Sequence, residues 1–408
     1  MPERIVIVGA GQAAASAADV LRRRGFKGTI TLVGEEPSLP YQRPPLSKKY
    51  LTGELERERL LIRPAKFYED HAIEARLGRR AVAIDRSGHS VALDDGSAVA
   101  YDALLLATGA RPRPIDVPGA NLAGVHFLRN LADVDGIRAS IRPGGRAVIV
   151  GGGYIGLEVA ASLRELGLEV TVLEMADRVM SRVTSVPVST FYEAEHERRG
   201  VRIVRQARVQ AFSGAGGRVE AVACADGSVH PADLVIVGVG VTPVDDLARA
   251  AGLACDNGIV VDEYCRTSDP DIYAAGDCTN HPSLHYGMRV RLESVDNAFE
   301  QGASAALNML GTPTRHDKVP WFWSDQYDLK LVIVGLAQGH DQVALRGDPA
   351  SRSFSVCYLR DGELLAIDTI NNAKDQLAAR KLIASRARPV VERLTDPAIP
   401  LKECVSVT

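Results

Sequence analysis

Three observations predict a mixed α/β chain of two doubly wound domains followed by a small α+β domain. A strand-like run, Ile5-Val6-Ile7-Val8, leads into Gly9-x-Gly11-x-x-Ala14, and a second, Ala147-Val148-Ile149-Val150, leads into Gly151-x-Gly153-x-x-Gly156. In each copy another apolar strand ends on an acid, Glu35 or Glu174, 26 and 23 residues past the first glycine. From Trp321 onward the pattern changes to short alternating runs and then a helix over 374–385. One glycine fingerprint is weak evidence, but here strand, turn, helix and acid all recur.

Each glycine has a reason. The first permits the tight strand-to-helix turn, the second lets backbone N–H groups approach a pyrophosphate, and the third lets the helix pack on the strand. Ala14 fills the third place as a small substitute. The following helix presents unpaired N–H groups and its positive dipole end to phosphates. Glu35 and Glu174 can accept from a ribose diol and would repel a 2′-phosphate. Two such sites imply two dinucleotides in one protein, with electron transfer between them as the natural chemistry.

The remaining elements follow in order. The fingerprint helices run over 13–24 and 155–166, closed by Gly25 and Gly167. Residues 81–84 and 90–93 read as a β-meander around Asp94-Asp95-Gly96; 219–224, Asp226-Gly227 and Val229 repeat it. The runs 101–109 and 232–240 are continuous apolar strands ending in glycine, which suits a sheet buried on both faces. Pro112 and Pro243 then favour extended crossings between domains. A strand over 272–277 is expected to return to the first domain. The expected domains are 1–110 with 244–317, 111–243, and 318–408.

Bulk properties exclude several classes. With 408 residues, more than one core is expected. A net charge of −3 offers no global field for nucleic acid. No apolar run reaches membrane-spanning length, and Gly9 and Gly11 interrupt the N-terminal one, so a cytoplasmic protein without membrane or signal segment is expected. The six cysteines show no CxxC pair and no ligand spacing, and read as reduced thiols. None precedes residue 224, whereas disulfide-reducing flavoproteins carry a redox thiol near 39–48. No metal site is expected: His281 and His285 are separated by Pro282, which breaks the helix a metal pair would need. No nucleophile elbow is present.

The segments GAGQAA, RPPLSK, LLLATGARPRP, GGGYIGLE, TSDPDIYAAGDC, RLESVDNA and PWFWSDQY occur in the order found in the oxygenase-coupled ferredoxin reductases. The chain resembles that family along essentially its whole length, with RPPLSK and PWFWSDQY narrowing the match. The resemblance implies a glutathione-reductase-like fold and an FAD-dependent NADH:ferredoxin oxidoreductase. Its partner would be a [2Fe–2S] ferredoxin serving a haem monooxygenase or ring-hydroxylating oxygenase.

By the same resemblance, Gly9, Gly11 and Ala13 would line the FAD pyrophosphate, Glu35 its ribose, and Asp277 the ribityl hydroxyls. Val295 would sit against the flavin ring, while Ala81 and Arg129 would touch the adenine and the cofactor edge. Lys48 and Glu158 would tune the flavin, Tyr154 would cover its face until nicotinamide arrives, and Trp323 would stand where the ferredoxin docks. Gly151, Gly153, Gly156 and Glu174 would hold NADH, with Arg178 and Arg182 leaving NADPH open. Arg289, Arg291, Arg315, Lys330, Lys374, Arg380 and Lys381 are candidate docking cations for an acidic partner. Two alternatives are an NADH oxidase or peroxide reductase, and a flavoprotein with a mainly binding or signalling role.

Overall fold

The computed structural model describes residues 2–405, which divide into two compact units. One holds the residues up to Gln42 with Arg57–Arg111 and Val241–Lys318; the other holds Arg43–Glu56, Pro112–Gly240 and the residues from Val319 on.

In the first unit the apolar runs pair into one parallel sheet, ordered Ile272–Ala274, Ala103–Leu106, Arg4–Val8, Thr29–Gly34, Ile73–Leu77. Continuous hydrophobic strands demand cover on both faces, and Ile5, Ile7, Leu104 and Leu105 are all buried. The helix Gln12–Arg23 supplies cover with small residues, Ala13, Ala14, Ala17 and Ala18. It packs very closely on the helix Val295–Met309: a Cβ at Gly302 would lie 2.1 Å from the Ala13 carbonyl oxygen. The strands Ala81–Asp85, Ser90–Leu93 and Ala98–Ala100 form the expected meander.

The second unit repeats the plan. Its parallel sheet is ordered Arg202–Val204, Glu169–Leu173, Arg146–Val150, Leu234–Val237, Val125–Phe127. The duplication extends to single side chains. Asp102 accepts from the Arg4 amide and guanidinium in one unit, and Asp233 from those of Arg146 in the other. Gly9 N–H donates to Val33 and Gly151 N–H to Leu173, each at 2.8 Å.

The tail forms a five-stranded antiparallel sheet in the order Trp321–Gln326, Leu329–Gly335, Glu363–Ile370, Phe354–Arg360, Gln342–Arg346. Its helix Ala373–Ala384 buries Ala379 and Ile383 against Val332, Val334, Cys357 and Ile367. The other face carries Phe322 on Tyr154 and Phe354 on Phe191. The structure therefore groups the tail with the second glycine-turn segment in one compact unit. Residues 43–56 join it too, because Arg43 donates to the Arg129 carbonyl, Tyr50 to Asp135, and Ser162 to the Ser47 carbonyl.

Candidate functional site

In the first unit, the sequence-derived positions Gly9, Gly11, Glu35 and Asp277 gather at the C-terminal edge of the parallel strands, where open α/β sheets bind ligands. Gly9 adopts φ +116°, and a Cβ there would lie 2.1 Å from the Ala107 carbonyl oxygen, so only glycine fits. A Cβ at Gly11 would meet nothing within 4 Å, so the turn is open on that side. The helix it starts has no side-chain cap and no acid in its first turn. Its leading N–H groups therefore suit an anion, which fits a pyrophosphate. Ala13 and Ala14 are buried beneath them, and Glu35 is exposed just past Gly34.

Asp277 follows Gly276, whose φ is +89°. This turn is braced by Gln301, whose side-chain oxygen accepts from the Gly276 amide at 2.8 Å and the Thr279 hydroxyl at 2.9 Å. The buried Gln301 Nε2 has no partner among the described residues. Sequence reasoning missed Gln301, which lies inside a helix with no motif around it. Val295 opens that helix behind its cap, Ser294, which accepts from the Asn297 amide. Ala81 opens the meander.

The second unit holds the other predicted residues. Gly151 adopts φ +107°, and a Cβ at Gly156 would sit 2.1 Å from the Gly151 carbonyl oxygen. Gly153 is open, and its helix Tyr154–Glu165 again starts without a cap or an acid. Glu174 accepts from the Gly152 and Ala176 amides, both at 2.7 Å, so its carboxylate is oriented at the strand end. Arg178 is committed to the Thr184 and Ser181 carbonyls and the Ser189 hydroxyl. Arg182 is exposed.

Lys48 and Glu158 form an ion pair at 2.7 Å, with side chains 19% and 6% exposed. Burying two charges is costly unless each finds further partners. Glu158 does: Ser47 donates to Oε2 at 2.5 Å and Ser324 to Oε1 at 2.8 Å. Lys48 reaches this position because Pro44 and Pro45 start a 3₁₀ turn over Pro44–Ser47 that ends at Lys48.

The Tyr154 and Phe322 rings lie 4.7 Å apart, tilted by 38°, and the buried Tyr154 hydroxyl has no partner among the described residues. Burial pushes that phenol well above its ordinary pKa. Trp323 stacks on Trp321 at 5.4 Å, and the Arg380 guanidinium lies 4.3 Å over the Trp321 ring. The Arg129 amide donates to Asp133 beside a capping box. Among the docking candidates, Arg289 is exposed but bonds to Val261 and Asn280, and Arg291 bonds to Asn257 and Glu293. Arg315 donates to the Tyr264 hydroxyl and is exposed, as are Lys330, Lys374 and Lys381.

All six cysteines are free thiols. Burial pushes every one of them above its usual pKa. A thiolate nucleophile needs the opposite environment. Among the described residues no cluster could hold a metal ion.

Comparison with known proteins agrees with this geometry. Residues 3–302 match the model of the pyridine nucleotide-disulphide oxidoreductases, and 321–405 that of the reductase C-terminal domain. Rhodocoxin reductase of Rhodococcus erythropolis is 45% identical, over 98% of this chain and 94% of that protein. The ferredoxin–NAD(+) reductase component of the anthranilate 1,2-dioxygenase system of Burkholderia cepacia is 42% identical, over 97% of this chain and 98% of its own. The crystal structure of the covalent putidaredoxin reductase–putidaredoxin complex superimposes with a TM-score of 0.96 at 43% identity, covering 98% of both chains.

Proposed function

Since this chain belongs to the pyridine nucleotide-disulphide oxidoreductase family, we propose that it is an FAD-dependent NADH:ferredoxin reductase. Its electrons go to a [2Fe–2S] ferredoxin that serves a haem monooxygenase or a ring-hydroxylating oxygenase. The observation that carries the reading is the Lys48–Glu158 pair, held by Ser47 and Ser324. Lys48 lies in the stretch of chain, near 39–48, where disulfide-reducing flavoproteins keep a thiol and this chain has none.

Bound flavin supplies the chemistry that side chains lack, taking two electrons together and releasing them one at a time. The protein's own residues bind, orient and polarise. Gly9, Gly11, Ala13 and the uncapped helix start hold the FAD pyrophosphate, Glu35 its ribose diol, and Asp277 the ribityl hydroxyls, with the Gln301 brace fixing the Asp277 turn. Val295, Ala81 and Arg129 complete that set. Gly151, Gly153 and Gly156 hold the NADH pyrophosphate, and Glu174, already oriented by two amides, accepts from the free ribose diol. Arg178 is spent on its own loop and does not serve a 2′-phosphate.

Lys48, by resemblance the lysine beside the isoalloxazine, supplies a cation that favours electron density there. Glu158 keeps that cation in place. Tyr154 is the movable cover: a buried hydroxyl without a partner costs about 1–3 kcal/mol, so its packed position is easily given up. Trp323 and the exposed Lys330, Lys374 and Lys381 belong to the ferredoxin face.

A peroxide reductase would need a thiolate, and burial disfavours that form at each of the six thiols. No helix among the described residues is long and apolar enough to cross a membrane. Six unpaired thiols suit a reducing compartment, which favours the cytoplasm. Anaerobic stopped-flow mixing tests the assignment. The purified protein should be yellow and should bleach with NADH, and the electrons should then reduce an added [2Fe–2S] ferredoxin. Colourless protein that cannot be reconstituted refutes the reading, and faster bleaching by NADPH refutes the role given to Glu174.

A further inference from the structure

The Glu158 carboxylate is the end of a longer chain of hydrogen bonds. Ser324 donates to Glu158 Oε1 at 2.8 Å, and Gln326 Nε2 donates to the Ser324 hydroxyl at 3.2 Å. His196 Nε2 lies 2.8 Å from Gln326 Oε1, and the Tyr327 hydroxyl lies 3.4 Å from His196 Nδ1. Ser324, Gln326 and His196 are each fully buried, with no water-accessible surface.

The ion pair fixes the direction of every link. A carboxylate paired with an ammonium can only accept, so Ser324 must donate to it. The Ser324 oxygen is then free to accept, and only the amide N–H₂ of Gln326 can supply that proton. Gln326 therefore turns its carbonyl to His196, which must carry its hydrogen on Nε2 and leave Nδ1 as an acceptor toward Tyr327. Burial holds the His196 pKa below its usual value, in keeping with one proton rather than two. All four donors thus point toward Glu158, and aligned bonds in a dry interior reinforce one another. Gln326 is an amide that relays no proton, so the chain sets charge and orientation.

We infer that His196, Gln326 and Ser324 are positioning residues: a polarised chain through which the tail sheet orients the Glu158 carboxylate, fixes the Lys48 ammonium and sets the flavin's two-electron potential. This rests on the flavin reading above. Each donor draws off part of the carboxylate's charge and leaves more of the Lys48 field for the reduced cofactor. Removing the Ser324 hydroxyl should therefore lower the potential.

The test uses the full-length flavoprotein in wild-type form and as Ser324→Ala, Ser324→Thr, His196→Leu and the Ser324→Ala/His196→Leu double variant. Imidazole ¹⁵N NMR should show His196 protonated on Nε2 alone, whether or not flavin is bound. Ser324→Ala should shift the two-electron equilibrium about tenfold toward the oxidised form, about 30 mV, while Ser324→Thr restores the wild-type value. In His196→Leu the released Gln326 can turn over and take the Ser324 proton, so the shift has the same sign. The double variant should then shift no further than the larger single one. An unchanged potential, additive shifts or an Nδ1-protonated His196 each overturn the chain while leaving the reductase assignment intact. Failure to bind flavin sinks the assignment instead, and the tautomer measurement still reads the chain. If His196→Leu does not fold, the two Ser324 variants decide.

Discussion

Asp368 offers a prediction in which both sign and size follow from the structure. It is 1% exposed within the strand Glu363–Ile370. It accepts from Tyr358, whose hydroxyl lies 2.5 Å from Oδ2, accepts from the Ser185 amide at 3.1 Å and sits 2.9 Å from the Ser185 hydroxyl. Among the described residues the buried hydroxyls of Tyr154 and Tyr192 are unpartnered, so neither adds a bond to it. Burial without a cation lifts the Asp368 pKa from 3.8 to about 7, against the opposing pull of the Tyr358 bond. Three units at about 1.4 kcal/mol each amount to about 4 kcal/mol against the ionised form in the folded state.

The sign follows from proton counting. Between pH 4 and 7 the folded protein holds a proton on Asp368 that the unfolded chain has released, so this contribution to stability falls as pH rises. It is fully present below about pH 4 and gone once pH passes about 7. Asp368→Asn keeps an acceptor for Tyr358 and never ionises. Urea unfolding of both proteins at pH 5 and pH 8 isolates the effect, because every other titration cancels. The wild type should lose about 3 kcal/mol relative to the variant over that interval. Parallel pH profiles would refute the claim that Asp368 is buried without charge compensation.

Three further outcomes are expected. Gly156→Ala drives a Cβ to 2.1 Å from the Gly151 carbonyl oxygen, so it should cost about 1–3 kcal/mol in stability and raise the KM for NADH more than it lowers kcat. Gly302→Ala gains about 1 kcal/mol of helix propensity but forces the Ala13 backbone away from 2.1 Å. A net loss in thermal melting with faster FAD release is expected, and a stabilised variant would contradict the close helix contact. Finally, native protein treated with a thiol reagent at pH 7 should react slowly at every cysteine, since burial pushes all six thiols up; a single fast-reacting thiol would reopen the peroxide-reductase reading.

Local pattern carried much of this molecule. The two glycine turns, the parallel strands beside them and the acids at the strand ends are all set by residues within about one βαβ unit, and the structure shows them where the pattern places them. What escaped depends on distant pairs. Ser324 meets Glu158 across 166 positions and His196 meets Gln326 across 130, and no periodicity encodes either contact. The grouping of residues 43–56 with the second unit rests on similar long-range bonds from Arg43, Tyr50 and Ser47. Charge alone also does not reveal which cations are already bonded: Arg289 and Arg291 donate to groups of their own unit.

Glu158 and Asp368 are both buried in the second unit, and their difference lies in their donors rather than in depth. Glu158 receives an ammonium and two hydroxyls, while Asp368 receives a single phenol. The first arrangement compensates a charge and the second does not. A reductase that relies on one fixed cation beside its cofactor needs its counter-ion to stay ionised and still, which explains why Glu158 draws three partners from two separate stretches of chain. Asp368 can be neutral without consequence for that cation, and its role is then to hold Tyr358 against Ser185 at the start of the helix Val186–Arg198. The loop before that helix is closed by Arg178 and begins at Glu174, so ionising Asp368 should loosen the dinucleotide side of the unit and leave the Lys48–Glu158 pair unchanged.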